Sequence, residues 1–188
     1  MRELNNPKSN KYSGLLLAAH PGMGDPRFTK TVILVSTHSK EAGAMGVVIN
    51  RPLNKTLGQI GGKFVYSPLA KIPIYQGGPV AAKQLIFTAW QWNKGQGVFK
   101  LHFGINHLKA QEIIKQYPDM EIRCFMGHAG WNGGQLESEL KQNAWFVSPF
   151  SDKVFSGIKG DALWKSIVFS ITPELRLLTD VPKDPSNN

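Results

Sequence analysis

A chain of 188 residues that is 41% apolar and 19% charged has the size of one domain and the composition of a soluble globular protein. The longest apolar run, Leu15 to Ala19, falls far short of the roughly 20 residues that span a bilayer. The opening residues carry charges but no apolar stretch with a small-residue cleavage site, so no secretory signal is expected and a cytoplasmic location is the simplest reading. A single cysteine, Cys124, excludes an internal disulfide framework and any multi-cysteine metal site.

The net charge is +9, and its distribution says more than its total. Between Glu41 and Glu112 there is no acidic residue, while Arg51, Lys55, Lys63, Lys71, Lys83, Lys94, Lys100 and Lys109 all fall there. If this segment forms one face, the face is positive and suits a polyanion. Spaced lysines also do no more than keep a protein soluble, and no basic helix is evident.

Taken in order, residues 1–12 are polar and read as a flexible terminus. Gly14–His20 reads as a buried strand, followed by a loop over His20–Pro26 that is dense in glycine and proline. Thr31–Ser36 is a β-branched strand, and Gly43–Asn50 is a third, with Pro52 marking its end. Thr56–Ile60 reads as a short helix capped by Thr56 and stopped by Gly61 and Gly62. Ile72–Tyr75 is a strand running into a turn at Gly77, Gly78 and Pro79. Gln84–Thr88 and Val98–Phe103 read as a hairpin closed by a loop over Asn93–Gly97.

Asn106–Gln116 is the first clear helix, capped by Asn106 and ended by Pro118, with Leu108, Ile113, Ile114 and Tyr117 near one stripe. Ile122 to Phe146 reads as a buried strand, a glycine turn from Gly127 to Gly134, a short helix and a strand over Ala144–Val147. Asp161–Phe169 is a helix capped by Asp161 or Gly160. Residues 13–178 thus form one α+β domain with a mostly antiparallel sheet, and residues 179–188 a loose tail.

The glycine turn has the layout of an anion site at a helix N-terminus. Its spacing matches neither the dinucleotide fingerprint nor the P-loop. Asn132 and Gln135 have capping-box spacing, and Glu137 and Glu139 would repel an anion, so a structural turn is the stronger reading. The histidines are scattered, without the spacing of a helical metal site. Cys124 lies on one parity with Ile122 and Met126, which makes it a buried inert thiol, unable to pair with His128 unless the strand bends at Gly127. Glu137 and Glu139, two apart on a helix, do not face each other as a carboxylate pair.

Asp25 could serve as acid, base or ligand, or could cap a turn through its own side chain. Arg51, beside Asn50 at a strand end, could fork onto a carboxylate or phosphate or pair with an acid across the sheet. Trp90 and Trp92, with Phe87 and Phe99, could stack on bases or pack one hairpin face on the core. No recognition-helix pair, zinc finger or RNA-binding signature is present.

Four blocks, LLLAAHPGMGDPRFTKTVILVSTH, GAMGVVINRPLNKTLGQI, YQGGPV and GHAGWNGGQLESELKQNAWF, together resemble the YqgE/AlgH family of bacterial proteins. The resemblance runs from about Ser13 to Phe150 and more loosely through the Trp164 helix. It implies an α+β fold with a branched sheet, a small barrel-like part and surrounding helices. It also implies a protein often labelled a transcriptional regulator, with no agreed catalytic mechanism and no cofactor. The family's blocks map onto Asp25, Phe28, Asn50, Arg51, Pro52, Gly77, Gly78, Pro79, Gly130, Trp131, Gly134, Gln135, Leu136, Glu137, Glu139 and Trp145.

Three functions follow as expectations. The first is a non-enzymatic regulatory or interaction protein with a protein or DNA partner and no metal or membrane. The second is a nucleic-acid module using residues 42–111, with Lys83, Lys94 and Lys100 on its face. The third is a small-ligand binder or enzyme whose site draws on Asp25, Asn50, Arg51, Gly77, Gly78, Trp131, Gln135 and Glu137.

Overall fold

The computed structural model describes residues 11–93, 98–150 and 152–175. The expectations for residues 1–10, for the loop that carries Lys94 and for the tail 179–188 lie outside the described residues, as do the side chains of Trp92 and Phe99.

The strands are β1 (Leu16–Ala19), β2 (Val32–Ser39), β3 (Gly43–Val48), β4 (Pro52–Thr56), β5 (Pro73–Gln76), β6 (Val80–Asn93), β7 (Val98–Ile105), β8 (Glu121–Trp131) and β9 (Trp145–Ser148). The helices are α1 (His107–Gln116), α2 (Gln135–Lys141) and α3 (Gly160–Ile171), with short 3-10 turns beside them. The fold is α+β, with a large mixed sheet curled into a half-barrel. One path through the sheet runs β4-β5-β8-β3-β2-β1-β9, and the hairpin of β6 and β7 branches from β8.

β8 is the hub. Its first half pairs parallel with β5 (Cys124 opposite Ile74) and antiparallel with β6 (Cys124 opposite Phe87), while its last residues pair antiparallel with β3 (Gly130 opposite Met45). Gly127 makes this transfer possible. It sits at φ +70°, where an added Cβ would lie 2.4 Å from the Gly78 carbonyl oxygen, and a Cβ on Gly77 would lie 2.3 Å from that of Gly127. Two backbones cross in contact here, which only glycine permits.

The long apolar runs of β1 and β2 reflect burial on both faces. Leu16, Ala18, Val32 and Leu34 pack with α3 through Leu163, Trp164, Ile167 and Val168. Leu17, Ala19, Ile33 and Val35 pack on the opposite face with Trp131, Leu136 and Trp145. A third cluster joins Ala110 and Ile113 of α1 to Ile74, Phe87, Ile122 and Cys124. The Trp164 indole N–H donates to the Ala19 carbonyl at 2.7 Å, tying α3 to the end of β1.

Several expectations are corrected. Pro52 does not only follow a strand: it opens β4, an edge strand paired on one side with β5, where a missing N–H is tolerated. β6 extends well beyond Gln84–Thr88 because β7 and β8 pair along its two edges. The glycine turn from Gly127 is shorter than expected, since β8 runs on through Gly127 and Gly130 to Trp131. Helix α3 starts at Gly160, with Lys159 rather than Asp161 or Gly160 at its N-cap. Leu108 and Tyr117 are exposed and Ala110 and Ile113 form the buried stripe, because Leu108 and Ile113, five apart on a helix, point in different directions. Asn106 caps α1 as expected, accepting the Lys109 N–H at 2.8 Å.

Candidate functional site

The Asn50-Arg51 pair follows β3 and faces the loop that leads into β2. Asn50 is buried, its Oδ1 accepting the Val32 N–H at 2.9 Å while Nδ2 donates to the carbonyls of Lys30 and Gly160 at 2.9 and 3.0 Å. Arg51 donates from Nη1 to the Arg27 carbonyl at 2.7 Å and from Nη2 to the Thr29 carbonyl at 3.0 Å. The expected pairing of Arg51 with an acid across the sheet is therefore replaced by a fork onto the backbone. A loop with no ladder partners leaves such carbonyls to be satisfied by side chains. Burial lowers the Arg51 guanidinium from its ordinary value, partly offset by the charge of Asp161, which itself pairs with Lys30 at 2.8 Å.

Asp25 closes the turn before this loop. Its Oδ1 accepts the Arg27 N–H at 2.9 Å, and its Oδ2 meets the Arg27 guanidinium at 2.7 Å. That guanidinium holds the Asp25 carboxyl below its usual range, against a smaller opposing effect of burial.

A second polar centre surrounds α2. The indole N–H groups of Trp131 and Trp145 both donate to Glu139 Oε2, at 2.9 and 2.7 Å, and Gln135 Nε2 donates to Oε1 at 2.9 Å. Gln135 also accepts the Asn132 N–H at 3.0 Å, which is half of the expected capping box. The other half is absent, since the N-cap is Gly134, with no side-chain bond to the helix. Glu137 turns to the neighbouring strand, where its Oε1 lies 2.8 Å from Nε2 of the buried His38. The Tyr12 ring meets His38 edge-on at 4.8 Å. Burial alone would raise the Glu137 carboxyl, but its own backbone N–H, His38 and Lys40 hold it below the ordinary range.

Phe28 connects the two centres. Leaving the Asp25 turn, it packs edge-on against Trp145 at 5.7 Å, and Trp145 packs against Trp131 at 6.0 Å. Contacts thus link Asp25, Arg51, Trp131 and Gln135 through Arg27, Phe28, Trp145 and Glu139. Gly77 and Gly78 stand apart, at the crossing over β8, where the Val48 N–H donates to the Gly77 carbonyl. Cys124 is buried among apolar side chains, which pushes its thiol up to about 12.

The partners that sequence reading missed are His38, Arg27 and Lys30. His38 and Glu137 are 99 positions apart, and no local spacing announces such a pair. Among the described residues no group of three or more His, Cys, Asp and Glu is placed to hold a metal ion, and no helix is long and apolar enough to cross a membrane.

The acid-free segment builds β3 to β7 and the start of α1. Lys55, Lys71, Lys83 and Lys100 are exposed and carry no ion pair among the described residues. Lys109 pairs with Glu112, and the Lys63 amine lies 3.2 Å from His107 Nε2.

A family profile described as AlgH-like (DUF179) matches residues 16–176. The chain belongs to the AlgH-like family. A UPF0301 protein of Parabacteroides distasonis is 32% identical over 186 residues, covering 93% of this chain and 90% of the relative. Another, of Coxiella burnetii, is 31% identical over 176 residues, covering 92% and 96%. Among solved structures, the AlgH protein of Pseudomonas aeruginosa aligns with TM-score 0.64 at 25% identity, over 97% of this chain and all of that one (100%). Protein DIP2367 of Corynebacterium diphtheriae aligns at TM-score 0.69 over 96% and 95%, and at 24% identity it speaks for the shared fold alone.

Proposed function

We propose that this AlgH-like chain is a non-enzymatic regulatory or interaction protein of the cytoplasm, with transcription as its field of action. One observation supports the reading above others: the polar side chains of the family's blocks are occupied within the fold. Asn50 and Arg51 satisfy backbone carbonyls, Glu139 holds two indoles and Glu137 holds His38. A catalytic carboxylate or arginine needs free valences aimed at a substrate. Function on this reading lies in the surface that these residues shape.

Catalytic groups are commonly replaced without loss of stability, whereas groups that hold the fold are not. Thermal melts of Asn50→Ala, Arg51→Ala, Glu137→Gln and Glu139→Gln, run beside a hydrolase and transferase screen, test the reading. The expected result is a lower Tm for each variant and no turnover by the parent protein. Turnover that disappears in Arg51→Ala or Glu137→Gln at unchanged Tm would overturn it.

The separation of charge favours a second reading, a nucleic-acid module on the basic half. Fluorescence anisotropy with random-sequence duplex DNA at about 50 and 200 mM salt separates the two, because each neutralised phosphate steepens the loss of affinity with salt. Binding that weakens when Lys83, Lys94 and Lys100 become Gln supports the module. Absence of binding at low salt reduces the charge to solubility.

A further inference from the structure

Asn132 stands between the end of β8 and the start of α2, and it alone among the asparagines of the chain is followed by glycine. Packing requires that glycine, because a Cβ on Gly133 would lie 2.2 Å from the Glu41 carbonyl oxygen. The turn is held on either side of the Gly133 nitrogen. Gln135 Oε1 accepts the Asn132 N–H and the Gln135 N–H donates to the Asn132 carbonyl, both at 3.0 Å. The Gly134 N–H donates to the Lys40 carbonyl at 2.9 Å.

Two groups in this turn are left free. The Asn132 side-chain amide and the Gly133 N–H make no hydrogen bond among the described residues, and both residues are exposed. The Gly133 nitrogen is joined to the Asn132 Cα through one carbonyl carbon, so covalent geometry alone keeps it near the side-chain amide carbon. Without a Cβ on Gly133, the residue that follows offers little hindrance to their approach. Asparagine is among the thermally labile residue types, and here the fold itself demands the neighbour that exposes it.

We propose that Asn132 is a site of spontaneous deamidation in the folded protein, with water as the co-reactant and aspartate and isoaspartate as products. The Gly133 nitrogen bonds to the Asn132 side-chain carbonyl carbon, its proton passes through water to the departing amide nitrogen, and ammonia leaves behind a closed succinimide. Water then adds to one of the two ring carbonyls, and the C–N bond at that carbonyl breaks. Opening at the side-chain carbonyl gives aspartate. Opening at the main-chain carbonyl gives isoaspartate, with one more carbon in the main chain. Either product adds negative charge where the carboxylates of Glu41 and Glu137 already act on one another. Isoaspartate also lengthens the chain where Gly133 presses on Glu41 and Gly134 is bonded to Lys40, so it releases the β2–β3 turn from α2. The inference needs only this turn and stands independently of the interaction reading.

The test incubates the folded full chain at mildly alkaline pH and follows residue 132 by peptide mapping and mass spectrometry, beside a synthetic peptide spanning Ala129–Glu137. Asn132 is expected to convert before any other asparagine, at a rate within about tenfold of the peptide's. A site that reacts only through global unfolding is slowed by about a thousandfold or more. Isoaspartate is read separately, by enzymatic methylation with S-adenosylmethionine. Asn132→Gln keeps the amide but must close a larger and slower ring. It is expected to keep the parent Tm and to gain no acidic species on isoelectric focusing, where the parent gains one. The isoaspartate fraction, separated by ion exchange, should melt below Asn132→Asp, which bears the charge without the longer backbone, and equal melting overturns the release of the turn. Conversion of Asn132 more than about tenfold slower than in the peptide overturns the proposal. So does the same acidic species arising in Asn132→Gln.

Discussion

Asn50 and Gly160 are bonded in both directions. The Gly160 N–H donates to the Asn50 carbonyl at 3.0 Å, and Asn50 Nδ2 donates back to the Gly160 carbonyl at 3.0 Å. The pair stitches the residues after β3 to the first residue of α3, 110 positions later. Replacing Asn50 by Ala strands the Val32 N–H and two carbonyls, a loss of about 2–4 kcal/mol. Urea unfolding measures it. Asn50→Asp should be no better, because a carboxylate cannot donate to the Lys30 and Gly160 carbonyls.

The Glu137 carboxyl carries a pH signature. Its folded value lies below the ordinary 4.5, so it contributes stability that is fully present above that pH and is lost as the pH falls through the lower folded value. Melts from pH 6 down to about pH 3 should show an acid-side fall in Tm that is shallower in Glu137→Gln. Identical acid limbs would detach the carboxylate from His38.

The crossing of Gly77–Gly78 over β8 is tight enough to test with one methyl group. Gly127→Ala would place its Cβ 2.4 Å from the Gly78 oxygen at φ +70°, and a loss of about 3–5 kcal/mol is expected. Gly24→Ala has nothing within 4 Å of its Cβ and should stay within about 0.5 kcal/mol of the parent. Equal stability of the two variants would mean the crossing is looser than described.

The Cys124 thiol should be silent. With its value pushed up to about 12 by burial, thiolate at pH 8 amounts to about one part in ten thousand. A disulfide dye should leave the native protein unlabelled and react fully in about 6 M guanidinium chloride. Rapid native labelling would expose an opening on the α1 side of the sheet.

The strands most legible in the sequence are those buried on both faces, because TVILVS and GLLLAA have no other plausible environment. β4 escaped notice since PLNKT is polar, exposed and held by one neighbour. The glycines from Gly127 to Gly134 looked like one turn, although Gly127 and Gly130 lie within a strand. A kink inside a ladder and a turn between elements demand the same residue, so composition does not separate them. Asn50 and Arg51 drew attention by their place at a strand end. Their carbonyl partners did not, because Lys30, Arg27 and Gly160 meet them only through tertiary contact.

The hub position of β8 governs how the protein is made. β3, β5 and β6 all precede it in the chain and all await it as a partner. At the ribosome, β3 is complete at Val48 while β8 begins at Glu121, a delay on the order of ten seconds at ordinary rates of synthesis. Throughout that interval the nascent chain carries apolar strands with open edges, which are sticky toward other chains. The yield of folded protein therefore depends on what shields the growing chain before Trp131 emerges, and slowing translation between residues 49 and 120 should lower it.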